Sequence, residues 1–193
     1  MNQKIIAIYL FLFFITPRSF SQASSTIDSL KSYKNLELGW KITIPNNYSV
    51  NNSTDRAKVT DAAIKKLGAK KDVSNTKFLI SFKKNNASAY PSFLSGLQNK
   101  NTIGIPINTE ADFIKFATVI AKRAAPKLSV EIFKKKIGKS EFYGYQFFNP
   151  ETNIYQKGLT KIIGKWIFYQ TWIFDNPDDQ SVLEDAVYNA TFN

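Results

Sequence analysis

Glu131 sits in the segment 128–137 and Glu141 directly before the segment 142–148, two stretches of alternating apolar residues that can pair as neighbouring strands. Two carboxyl groups flanking one bond are all that glycoside hydrolysis requires, so this pair is the candidate for carboxylate chemistry. The simpler reading is two solvent-facing acids among many lysines. Asp175, Asp178 and Asp179 form a second acidic group. They lack the alternating spacing and central glycine of a calcium loop, whereas Asn176 as N-cap, Pro177 at the first helical position and acids in the first turn explain them as a helix start. Histidine and cysteine are absent from the chain. That removes Ser-His-Asp and Cys-His catalysis and the usual zinc sites. No glycine-rich phosphate-binding run occurs either. No cofactor and no metal are expected, and the chain reads as non-enzymatic, with a carboxylate-dependent glycan hydrolase as the remote alternative.

Binding chemistry is better represented. Lysine occurs 23 times against three arginines, and the pairs and triplets Lys65-Lys66, Lys70-Lys71, Lys83-Lys84 and Lys134-Lys135-Lys136 are scattered over several segments. Base reading in DNA leans on arginine's planar fork, so sequence-specific nucleic-acid binding is not expected. Dispersed lysine suits diffuse attraction to anionic lipid headgroups, acidic glycans or an acidic partner protein, and Lys83, Lys84, Lys134, Lys135 and Lys136 are the anion-contact candidates. A merely solvated basic surface is the simpler alternative. The aromatic residues Tyr143, Tyr145, Trp166, Phe168 and Trp172 fall at alternating positions of strand-like segments and could line a groove for an apolar or glycan ligand. Packing into the core competes with that role, because two amphipathic helices need a surface to cover.

The elements that must position these residues follow from periodicity. Residues 22–35 read as a polar leader, and 36–45 as a strand with Leu38, Trp40, Ile42 and Ile44 on one face. Val59, Ala63 and Leu67 recur at helical spacing before Gly68, which predicts a helix over 55–67. Lys77 to Lys83 and Ala89 to Leu97 predict a hairpin around Asn85-Asn86. Thr109 and Asp112 form a capping box for a helix from Glu110 to Ala125, stopped by Pro126. Four strands then alternate with turns: 128–137, 142–148, 154–163 and 166–174. A terminal helix follows, with Leu183, Ala186, Val187 and Ala190 on one face. Trp166–Phe174 is apolar on both sides and needs cover on both. The expected class is α+β, a mostly antiparallel sheet flanked by helices on both faces.

The N-terminus carries an address. Lys4, the apolar run Ile5 to Ile15 and the small-residue ending Ser19-Phe20-Ser21 have the order of a signal peptide spanning 1–21. As a helix the apolar run rises only about 16 Å, roughly half of a bilayer's hydrocarbon core, which makes an uncleaved anchor the minor alternative, and no later stretch approaches 18 apolar residues, so no transmembrane span is expected after cleavage. Two of the +11 formal charges, Lys4 and Arg18, leave with it, and the mature domain keeps +9. The expected compartment is periplasmic or extracellular. Without cysteine no lipid anchor or disulfide is expected there, and the 172 residues that follow the signal peptide suit a single domain, placed over 36–193 after the polar leader.

Gly39-Trp40-Lys41-Ile42-Thr43-Ile44-Pro45, the helix before a compact hairpin, the meander with Gly144 and Gly164, and the closing helix ending in Ala190-Thr191-Phe192 resemble the PsbP-like fold family, whose bacterial relatives include small exported DcrB-like proteins. The resemblance implies an accessory, binding or assembly domain of the cell envelope. It carries no catalytic residue over to this sequence. The absent lipidation cysteine departs from the lipoprotein members.

Overall fold

Ile154–Ile163 and Trp166–Phe174 are joined by the two-residue turn Gly164-Lys165, where Gly164 takes φ 60°. A turn this short needs a left-handed residue at its first position, and glycine adopts one without steric cost. The hairpin it closes is the middle of the molecule. In the structure, a computed structural model, residues 25–28, 31–51, 75–87 and 90–192 are described. The expected signal peptide and the expected helix over 55–67 lie outside the described residues.

In chain order the strands are β1 (Ser25–Asp28), β2 (Ser32–Asn35), β3 (Trp40–Thr43), β4 (Tyr48–Val50), β5 (Thr76–Lys84) and β6 (Ser92–Asn99). Helix α1 (Glu110–Ala124) follows, then β7 (Ser129–Ile137), β8 (Ser140–Asn149), β9 (Ile154–Ile163), β10 (Trp166–Phe174), helix α2 (Pro177–Tyr188) and β11 (Thr191–Phe192). A seven-stranded sheet runs β4-β5-β6-β10-β9-β8-β7, and a four-stranded sheet runs β1-β2-β3-β11. Every pairing is antiparallel.

The α+β class and the helix on each face of the large sheet match expectation, and the second sheet is additional. One face carries Phe82, Phe93, Leu159, Phe168, Trp172 and Phe174, covered by α2 and by Trp40 and Ile42 of the small sheet. The opposite face presents Tyr145 and Phe147 to Ile114 and Ala121 of α1. The polar leader expected over 22–35 instead contributes β1 and β2, with Tyr33 buried against Trp40. Its serine and lysine content hid a strand in which Ser32, Tyr33 and Asn35 are all buried. The strand expected from Leu36 starts only at Trp40, because Leu36–Gly39 form a turn in which Leu38 N–H donates to Asn35 Oδ1 (3.0 Å). Both α1 and α2 begin at their predicted caps, Thr109 and Asn176.

Three glycines of the large sheet are register partners of aromatic residues: Gly96 of Tyr169, Gly144 of Phe133 and Gly158 of Tyr145. Each ring lies across the bare backbone of its partner. A Cβ at Gly158 would meet three ring atoms of Tyr145, and one at Gly96 would meet the Tyr169 hydroxyl. The absence of a side chain on one strand is thus filled by a ring from the next.

Helix α2 is fixed on the sheet at two points. Lys157 on β9 donates to Glu184 at 2.6 Å, with both side chains mostly buried. At the N-terminal end Asp179 is only 5% exposed and accepts from Lys84 Nζ (2.8 Å), Asn176 Nδ2 (2.7 Å) and Tyr48 Oη (3.4 Å). Burial opposes ionisation of Asp179, yet Lys84 and Asn176 outweigh it and hold the carboxyl below its ordinary value of 3.8.

Three substitutions test this packing. Gly158→Ala should cost about 1–3 kcal/mol through overpacking against Tyr145, read as a lower denaturant midpoint. Tyr169→Phe should be neutral or slightly stabilising, since that buried hydroxyl has no partner among the described residues. Asp179→Ala should destabilise by about 1–3 kcal/mol at neutral pH. Because the folded carboxyl titrates below 3.8, its contribution is complete above that value and is lost as pH falls through the lower folded value. The stability difference between wild type and variant should therefore shrink in acid, and a pH-independent difference would contradict the assignment.

Candidate functional site

The carboxylate pair separates first. Glu131 is the register partner of Gln146, and Glu141 that of Lys136. The five-residue offset corresponds to about 17 Å along the strand, and an odd offset puts the two acids on opposite faces of the sheet. Both are exposed. They cannot flank one bond, so the hydrolase arrangement is absent from this pair. Glu141 instead accepts a hydrogen bond from Lys134 at 2.9 Å.

The aspartates likewise serve the helix. Asp175 accepts from Asn176 Nδ2 (2.9 Å), Asp178 lies exposed in the first turn, and Asp179 is held by Tyr48, Lys84 and Asn176.

The five aromatic candidates do not share a surface. Trp166, Phe168 and Trp172 occupy alternate positions of β10 facing α2 and the small sheet. Phe168 and Trp172 have no exposed surface; Trp40 stands edge-on to Phe168 at 5.1 Å and Tyr188 edge-on to Trp172 at 6.2 Å. Tyr143 and Tyr145 are on the other face, beneath α1. Tyr145 is buried and its hydroxyl is 3.1 Å from Thr171 Oγ1, while Gln156 Nε2 donates to it at 3.4 Å. Burial raises its pKa, so it stays neutral as a structural hydrogen-bonding group. A single aromatic groove lined by these five residues is therefore corrected: each face of the sheet uses its own share as core.

The lysines divide as well. Lys83 and Lys84 are half-buried on β5, one strand in from one edge of the large sheet, and Lys84 is committed to Asp179. Lys134, Lys135 and Lys136 are on β7 at the opposite edge. They do not form one patch with Lys83 and Lys84. On β7, Lys134 Nζ lies 4.6 Å from the Tyr143 ring centroid and binds Glu141, which raises its pKa. Lys135 lies over the Tyr188 ring at 3.9 Å, supplying a cation beside the last turn of α2, which has no basic residue of its own. Lys136 is exposed.

Strand β7 also holds a residue the sequence did not single out. Ile132 is 60% exposed, on the same face as Val130, Lys134 and Lys136. Its segment was legible as a strand; that the strand lies at an edge depends on sheet order, which alternation does not encode. The nine residues pair with β8 without interruption, and their other side has no neighbour among the described strands. The candidate site is this edge: an extended backbone flanked by cations at its C-terminal half and by Val130 and Ile132 at its N-terminal half.

Among the described residues no helix is long and apolar enough to cross a membrane. No protein-family model matches the sequence, and none of the curated proteins does. The solution structure of cyanobacterial PsbP (CyanoP) from Synechocystis sp. PCC 6803 is similar, with a TM-score of 0.51 over 92% of this chain and 98% of that one, at 8% identity. This near-complete mutual coverage gives the chain a PsbP-like fold.

Proposed function

We propose that this chain is an exported, non-enzymatic binding or accessory domain of the cell envelope, which contacts a partner protein or an anionic surface through the lysine-bearing edge of its large sheet. The observation that carries this reading is the division of labour among the candidates: Phe168, Trp172 and Tyr145 are consumed by the core, while Lys134 and Lys136 remain exposed on an edge strand. The lack of histidine and cysteine and the separation of Glu131 from Glu141 support a role without catalysis. The signal-like order of residues 1–21 supports export, to the periplasm or beyond the cell.

Electrostatic contact of this kind weakens as salt shortens the Debye length. The full chain should be retained by vesicles containing anionic lipid, or by an acidic envelope protein, at low ionic strength and released at about 300 mM salt. Lys136→Glu should reduce retention severalfold at low salt without changing thermal stability. Absence of retention by both kinds of target at low salt would overturn the reading.

A further inference from the structure

Strand β7 combines features that an edge guarded against pairing does not. Protective edges are short, bulged, interrupted by proline or carry charged side chains, lysine above all, and of these devices β7 has only the last. β7 has nine residues, no proline and an unbroken register with β8 from Ser129↔Phe148 to Ile137↔Ser140. Its cations are confined to one half, and Ile132, 60% exposed, stands near its middle. On the face shared with α1 the order from N- to C-terminus is Val130, Ile132, Lys134, Lys136: two apolar positions, then two cations. The opposite face adds Lys135 to the basic half.

Resting on the binding role proposed above, we infer that β7 is a strand-addition site for one kind of occupant, an extended acidic segment of a partner protein that joins the large sheet as its eighth strand. Every pair in this sheet is antiparallel, and antiparallel addition continues that pattern. The added strand then meets Lys136 and Lys134 first and Ile132 and Val130 last. Cross-strand partners interact directly, so alternate residues facing α1 should read acidic, acidic, apolar, apolar from its N-terminus, with a further acid opposite Lys135. A second copy of this chain does not supply that charge pattern. Residues 127–139 carry five lysines and one glutamate, so apposed copies repel. The exposed Ile132 gives an apolar contact that a purely electrostatic surface would not use, and main-chain hydrogen bonds along β7 supply the affinity that side chains then tune.

The test uses the full chain and a fluorescent nine-residue peptide with glutamates at positions 1, 2 and 3, isoleucine at 5, valine at 7 and threonine elsewhere. A peptide of identical composition in reversed order serves as control. Saturable binding of the first peptide, weakened about tenfold or more for the reversed one, with amide protection rising in β7, is the expected result. Lys136→Glu and Ile132→Asp change exposed side chains and should each lower affinity about tenfold, with the melting temperature retained as evidence of folding. Equal binding of both peptides, protection confined to other strands, or concentration-dependent self-association blocked by Ile132→Asp would overturn the inference. If the peptides fail while salt-sensitive retention on anionic vesicles persists, the strand-addition site falls and the binding role stands; if both fail, both are wrong.

Discussion

The structure depends on one constraint, the burial of β10 on both faces. From Ile167 to Phe174 every residue of this strand is buried. Each large side chain taken out of water contributes about 1.5–3 kcal/mol, and a strand apolar on both sides gains it only between two covering layers. α2 and the small sheet supply one, with Trp40 against Phe168. α1 supplies part of the other, over Tyr145 and Phe147. Strands near β10 inherit the requirement and those further away escape it. β9 is buried at Ile154, Gln156 and from Gly158 to Thr160, and β7 is mostly exposed. The gradient from β10 outward turns the aromatic residues of the centre into core and leaves lysine and isoleucine at the rim.

Aromatic packing this dense needs room, and the glycines provide it. Tyr169, Tyr145 and Phe133 each occupy the space where a side chain on the paired strand would stand. The arrangement lets rings lie flat against the sheet under a covering layer. It also leaves polar atoms in dry places. Tyr145 solves this through Thr171 and Gln156, while the Tyr169 hydroxyl and the Gln170 amide are buried without a partner among the described residues. Each such group costs about 1–3 kcal/mol, so the central strand carries strain in its polar accounting that its apolar burial offsets.

Local chemistry in the sequence was enough to locate both described helices. Thr109 with Asp112, and Asn176 with Pro177, satisfy or remove end donors within a few residues, and such signals do not depend on tertiary context. The hairpin from Ile154 to Phe174 was equally legible, because alternation and a glycine turn are local too. Residues 22–35 were not. Ser32, Lys34 and Asn35 are polar, and only the partnership of Tyr33 with Ile42 and Trp40 makes a strand of them. The same limit governs the site. Alternation assigns Tyr143 and Trp166 each to a face of its own strand, but only the register through β9 shows that the two faces are opposite. Glu131 and Glu141 fail as a pair for the same reason.

The location of the basic edge can be understood from the anchoring of α2. A helix packed across a sheet needs its ends fixed, and here Lys84 and Lys157 are spent on Asp179 and Glu184. Those ion pairs neutralise two lysines against two acids of α2, whereas on β7 Lys134 pairs with Glu141 and Lys136 lies exposed. Lys135 marks the boundary, still in contact with Tyr188 near the helix end, and Lys136 lies beyond it in solvent. The charge on β7 is therefore coupled to how the core is closed: moving α2 outward to shield the edge would expose Trp172 and Leu183, both without exposed surface now. Only exposed positions of β7 such as Ile132, Lys134 and Lys136 can therefore change freely, because Phe133 and Ile137 of the same strand pack into the core around β10.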